Sequence, residues 1–199
     1  MRVSLFAIFA TLLVSMIAFS QVVSAPSDAF QTRYASNLNI GDSFINITDA
    51  GTNNDSGLCV NVYTFSPDEQ LVSCCSCPVT ANGLRSLSAV NDLISNTLTP
   101  AKPTSIVVKL LATSLAGACN ASNPTAATLV AGLRAWGTTL HFNTSKSSYD
   151  TTETEFSQAG LSAPELARIT SFCGFIQANG SGFGICASCR AGGLGGGKK

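Results

Sequence analysis

Eight cysteines, Cys59, Cys74, Cys75, Cys77, Cys119, Cys173, Cys186 and Cys189, limit what this 199-residue chain can become. Whether they bond one another or bind metal depends on the redox compartment. The N-terminus points to that compartment. Arg2 precedes an apolar run of about fifteen residues, Leu5 to Phe19, and small residues follow. That order is the one of a secretory signal, and the run is shorter than the roughly 20 residues of a membrane span. Ala18-Phe19-Ser20 and Val23-Ser24-Ala25 carry the small residues a signal peptidase needs. Residues 1–24 therefore read as a signal peptide, with cleavage expected after Ser20 or Ser24. The next most apolar stretch, Ser105 to Cys119, contains Lys109 and is too short to span a membrane. No membrane span is expected after cleavage.

An exported chain with an even cysteine count is expected to form four disulfides, each contributing about 2–4 kcal/mol. Eight cysteines allow roughly a hundred pairings. One hairpin narrows them. Leu58 to Phe65 alternates as a strand: Leu58, Val60 and Val62 face one way, and Cys59, Asn61, Tyr63 and Phe65 the other. Ser66-Pro67-Asp68-Glu69 is a turn, and Gln70 to Cys77 returns as the partner strand. If Ser66 faces Gln70, Cys59 faces Cys77, and a Cys59–Cys77 bond follows. A turn one residue longer sets Cys59 against Ser76 and diagonal to Cys74.

The same signals parse the rest of the chain. Residues 26–37 read as a polar lead-in, 43–48 as a short strand and 49–57 as a loop. Residues 84–98 have roughly helical spacing and read as a short helix or irregular turn. Ile106 to Leu111 and Leu133 to Phe142 read as strands, and 143–156 as a hydroxyl-rich polar stretch. Ser162-Ala163-Pro164-Glu165 is a capping-box pattern that opens a helix, and Asn179-Gly180 closes it. Leu166, Ile169, Cys173 and Ile176 share one face of that helix, which should dock on the sheet. The fold class is mainly β: an antiparallel β-sandwich with one C-terminal α-helix, disulfide-stabilised. Residues 25–190 form a single β-rich domain. Residues 191–199 form a Gly-rich tail expected to be flexible.

Charge and composition exclude some functions. Loss of Arg2 leaves ten basic residues against eleven acidic ones, a net charge near −1. Charged residues make up only 11% of the chain and no basic stripe exists, so no nucleic-acid partner is expected. His141 is the only histidine, and no G-x-S-x-G elbow accompanies it. No catalytic set is read from the sequence. Asp150, Glu153 and Glu155 cluster in one polar segment, read as a solvated loop rather than as two acids facing across a glycosidase cleft.

Two spacings raise metal chemistry. Cys74-x-x-Cys77 and Cys186-x-x-Cys189 could supply four thiolates to a tetrahedral ion. The compartment favours disulfides instead, so metal ligation by Cys74, Cys77, Cys186 and Cys189 is the alternative. The loop 49–57 has oxygen donors at alternate positions. It fails the EF-hand pattern, because Gly51 occupies a ligand position and no closing Glu follows. It reads as a polar turn, and no cofactor is expected. Asn46, Asn54, Asn120, Asn143 and Asn179 begin N-x-S/T sequons, which mark surface glycan sites in a eukaryotic secretory pathway.

Cys74-Cys75-Ser76-Cys77, residues 92–98 (DLISNTL) and residues 175–182 (FIQANGSG) resemble segments of uncharacterised secreted proteins of acidobacterial type. The resemblance implies a bacterial envelope or extracellular setting, which disfavours glycosylation. It carries no catalytic or binding residues. The leading expectation is a secreted or cell-surface, non-catalytic structural or adhesive protein, in one version assembling through its β-edges. The alternative is an extracellular metal-binding or thiol-redox protein using the two C-x-x-C pairs. A secreted hydrolase is the third.

Overall fold

The computed structural model describes residues 22–53, 56–187 and 189–191. Its strands are β1 (Phe30–Ala35), β2 (Asp42–Asp49), β3 (Leu58–Phe65), β4 (Leu71–Val79), β5 (Leu84–Ser88), β6 (Ile106–Ser114), β7 (Leu133–Asn143), β8 (Ser148–Glu155), β9 (Ser157–Gln158) and β10 (Arg190–Ala191). One helix, α1 (Ala163–Ala178), lies between β9 and β10. The strands form two sheets, ordered β4-β3-β6-β1-β9 and β10-β5-β2-β7-β8. All their pairings are antiparallel. The expected signal segment up to residue 21 and the tail from 192 lie outside the described residues.

The first sheet is apolar on both faces. Val60, Val62, Val108 and Leu110 meet Ile45, Ile47, Leu87 and Leu133 of the second sheet in the sandwich core. Tyr63, Phe65, Leu71 and Leu111 face the other way, onto Leu166, Ile169, Cys173 and Ile176 of α1. The period-2 pattern of β3 thus separates two cores, and all eight of its residues are buried. Ser162 caps α1 by accepting the Glu165 N–H at 3.2 Å, and Pro164 occupies the first turn. Burial of each apolar side chain on that face contributes about 1.5–3 kcal/mol.

Three segments depart from the sequence reading. The lead-in holds β1, an internal strand of its sheet, between β6 and β9. Its polarity hid it, yet Gln31 and Arg33 spend their polar groups on interior bonds: Gln31 Nε2 donates to the Leu133 carbonyl at 2.9 Å. Residues 84–88 are the strand β5, paired with β2, and only Ala89–Leu93 forms a single wide helical turn. Leu87 enters the sandwich core, so tertiary pairing overrides the helical spacing. The polar stretch 143–156 contains β8, which is exposed along its whole length and held by its pairing with β7.

The C-terminal segment closes one side of the sandwich. The Cys74 N–H donates to the Gly184 carbonyl at 2.8 Å, and the Ala187 N–H reaches the Asp92 carbonyl at 3.0 Å. Arg190 and Ala191 then pair with Ser86 and Arg85. The segment therefore runs from the edge of β4 to the edge of β5.

Candidate functional site

Strand β4 carries three of the eight cysteines. The disulfides are Cys59–Cys119, Cys74–Cys173, Cys75–Cys186 and Cys77–Cys189, with Cα separations of 5.4, 5.9, 5.4 and 5.6 Å. All are within the ordinary range for such a bond. Alternation along a strand explains the division of labour. Cys74 points to the helix layer and ties α1 to the sheet. Cys75 and Cys77 face the sandwich side and hold the C-terminal segment. Four disulfides fit an oxidising, non-cytoplasmic compartment. No helix among the described residues is long and apolar enough to cross a membrane.

The expected Cys59–Cys77 bond does not form. Ser66 does face Gln70, and its N–H donates to the Gln70 carbonyl at 3.0 Å. A register shift between Thr64 and Phe65 then moves every later partner by one, so Cys59 stands opposite Pro78 and Val60 opposite Cys77. Cys59 points to the outer side of the sheet and reaches Cys119 in the loop after β6. The four-thiolate set is corrected for the same kind of reason. Cys74 lies on the face of β4 away from Cys77, so it cannot join Cys186 and Cys189. Its place is taken by Cys75: the sulfurs of Cys75, Cys77 and Cys189 lie within 4.8 Å of one another.

The carboxylates of the polar stretch stand on a strand, not in a loop. Glu153 and Glu155 are two residues apart on β8 and share a face, while Asp150 takes the opposite one. With Trp136, Arg134, Gln31 and Gln158 they line an open cavity of about 480 Å³ where the chain passes from β8 to β9. Glu153 ends a chain of hydrogen bonds across four strands. Ser86 Oγ donates to Asn46 Oδ1, Asn46 Nδ2 donates to Thr138 Oγ1 at 3.0 Å, and Thr138 Oγ1 donates to Glu153 Oε1 at 2.9 Å. Only its position between Ile45 and Ile47 marks Asn46 as a strand residue facing away from the core. Its partners depend on strand order, which local patterns do not encode. The two glutamates occupy one wall of the cavity side by side, rather than the opposed arrangement glycoside hydrolysis requires.

His141 is exposed near the end of the β7–β8 ribbon, opposite Asp150. Hydrogen bonds from Asn143 and Lys146 hold the Asp150 carboxyl below its ordinary value, with His141 a smaller influence in the same direction. The sequons divide by burial. Asn46 is 3% exposed with its amide bonded inside, so it has no room for a glycan. Asn120 is half-buried and accepts from the Ser122 backbone N–H. Asn143 donates to Asp150, and Asn179 is exposed at the end of α1. Asn54 lies outside the described residues. Comparison with protein-family models, with curated proteins and with solved structures finds no match for this chain.

Proposed function

We propose that this protein is a secreted or cell-surface, non-catalytic structural or adhesive domain that joins a partner through the free edge of β8. The observation that carries this reading is the edge itself. β8 pairs with β7 on one side only, and all eight of its residues are exposed. On the opposite side of the molecule, β4 is bonded to the C-terminal segment and fastened by three disulfides. An edge strand presents a row of backbone donors and acceptors to an extended segment. The four disulfides, the signal-like N-terminus and the acidobacterial resemblance support an envelope or extracellular setting. Cleavage after Ser20 would retain Val22 and Val23, whose strand-like contacts to Ser162 and Leu161 brace the start of α1.

Charge selects the partner. Two β8 strands paired antiparallel about their centre would set Asp150 against Glu153, and like charges directly opposite are destabilising. The edge therefore takes an extended segment carrying Lys or Arg. The test is anisotropy titration with an eight-residue peptide alternating Lys and Thr, beside one alternating Glu and Thr. The basic peptide should bind, more weakly at high salt, and binding should fall at least tenfold in one or other of Thr151→Pro and Thr152→Pro. Equal affinity for the two peptides, or unchanged binding in both proline variants, overturns the proposal. Sedimentation velocity at low and high salt reads self-association; a stable dimer at low salt also overturns it.

The convergence of the Cys75, Cys77 and Cys189 sulfurs favours a second reading, an extracellular metal-binding or thiol-redox protein. Cys186, the disulfide partner of Cys75, lies outside that group of three and is the fourth thiol that reduction would free beside it. Thiol titration of the unfolded, unreduced protein separates the two readings. Zero thiols and no metal support the structural domain; four thiols with one zinc support the second.

A further inference from the structure

Gln31 is 3% exposed, yet it lines the cavity beside β8. Its Nε2 donates to two backbone carbonyls, that of Leu133 at 2.9 Å and that of Asp28 at 3.2 Å. A carbonyl only accepts, so these two bonds fix the orientation of the amide and leave Oε1 over. No donor among the described residues reaches Oε1. Asp49 Oδ2 and Thr64 Oγ1 are the only fully enclosed side-chain polar atoms without a partner among the described residues, so solvent touches Gln31 Oε1. For a side chain buried this deeply, that solvent is the cavity's. The cavity therefore reaches an amide oxygen that lacks a donor.

The other lining groups share that bias. Glu153 spends Oε1 on the Thr138 hydroxyl at 2.9 Å, and its second oxygen accepts nothing from the described residues. Glu155 is exposed, and neither glutamate takes part in an ion pair among the described residues. Arg134, the cation in the lining, is matched by Asp28, its Nη1 lying 2.6 Å from Asp28 Oδ2. Two carboxylates thus remain in excess of the Arg134–Asp28 pair. Trp136 also lines the cavity and stands directly opposite Glu155 in the pairing of β7 with β8.

Such a lining calls for a ligand with donors, positive charge and a flat face for the indole. Guanidinium has all three: five N–H donors, no acceptor, and a delocalised plane that stacks on aromatic rings. An ammonium has the charge without the plane. We infer that the cavity receives the guanidinium group of an arginine carried by the extended segment that pairs with β8; this rests on the β8-edge reading and names the side chain that anchors the partner. An added strand would lie about 4.8 Å outside β8, with β7 about as far inside it. A side chain placed beside Glu155 then has Trp136 within an arginine's length.

The test uses the oxidised mature protein and reads the fluorescence of Trp136, the only tryptophan in the chain. The probes are N-acetyl-arginine amide and its lysine and citrulline counterparts; citrulline keeps the shape and loses the charge. The arginine probe should change the emission saturably, with an affinity roughly threefold or more above that of lysine, and citrulline should change nothing. Glu155→Gln alters an exposed side chain without a hydrogen bond, so it should fold, and it should weaken arginine binding roughly fivefold. The Lys–Thr peptide should bind more tightly when Arg replaces Lys. Whichever of Thr151→Pro and Thr152→Pro weakens the peptide should leave binding of the arginine probe unchanged, because neither residue lines the cavity. An equal response to arginine and citrulline, or equal arginine binding by wild type and Glu155→Gln, overturns the inference. Proline-sensitive binding of the Lys–Thr peptide with no response to the arginine probe overturns the inference and keeps the edge reading. Binding of the arginine probe with neither peptide bound keeps the guanidinium site and overturns the edge reading.

Discussion

Cys74 and Cys75 are neighbours in the chain and face opposite sides of β4, so one bonds α1 and the other the C-terminal segment. A single strand thereby fixes a helix to one face of its sheet and the closing strap to the other. The arrangement depends on the pleat, which sends successive side chains to opposite faces.

The connectivity is directly checkable. Peptide mapping without reduction should recover Cys59–Cys119, Cys74–Cys173, Cys75–Cys186 and Cys77–Cys189, with no free thiol. Replacing Cys74 and Cys173 together by Ala should cost about 2–4 kcal/mol in urea unfolding, because the bond closes a long loop. A peptide joining Cys59 to Cys77 would contradict the register of the hairpin.

Gly137 makes room for a cation between the sheets. A Cβ there would lie 2.0 Å from Cζ of Arg33. The Arg33 guanidinium donates to Ser43 Oγ at 2.8 Å, Thr139 Oγ1 at 2.9 Å and Thr154 Oγ1 at 3.0 Å, with no carboxylate partner among the described residues. Burial pushes its pKa below the ordinary guanidinium value. Gly137→Ala should cost about 1–3 kcal/mol by driving Arg33 from those hydroxyls. Urea unfolding of Gly137→Ala, Arg33→Ala and the double variant measures the coupling. Strict additivity would show that the two positions do not interact.

Acid should loosen α1. Burial raises the Glu165 carboxyl, but Lys109 and Arg168 outweigh it, and the net direction is below the ordinary value of 4.5. A carboxyl depressed in the folded state contributes stability above its unfolded value and loses it as pH falls through the folded one. Tm should therefore fall on acidification below about pH 4.5, and Glu165→Gln should show a shallower fall over the same window. Parallel Tm curves for the two proteins would remove Glu165 from this role. Arg168 stacks 5.7 Å from the Phe65 ring, and Lys109 lies 4.8 Å from it, so this cluster joins α1 to the outer face of the first sheet.

Local pattern was enough where burial and hydrogen bonding are local. The alternation of Leu58 to Phe65 defines β3 and both faces it presents. The Ser162 cap and the spacing of Leu166, Ile169, Cys173 and Ile176 define α1 and its docking face. The mainly antiparallel β class and the four-disulfide framework also follow from sequence, because an even cysteine count behind an export-type N-terminus leaves few other uses for the thiols. What the tertiary structure alone decided has one common cause, the partner across a sheet. A single-residue shift after Thr64 redirected Cys59 from Cys77 to Cys119. β8 exists because β7 pairs with it, since its own residues bury nothing. Asp49 is buried because segments distant in the chain, Leu133 across the sheet and Ala81 beside it, are laid against the end of β2. Periodicity records which face a residue turns inward; it does not record which strand it will meet.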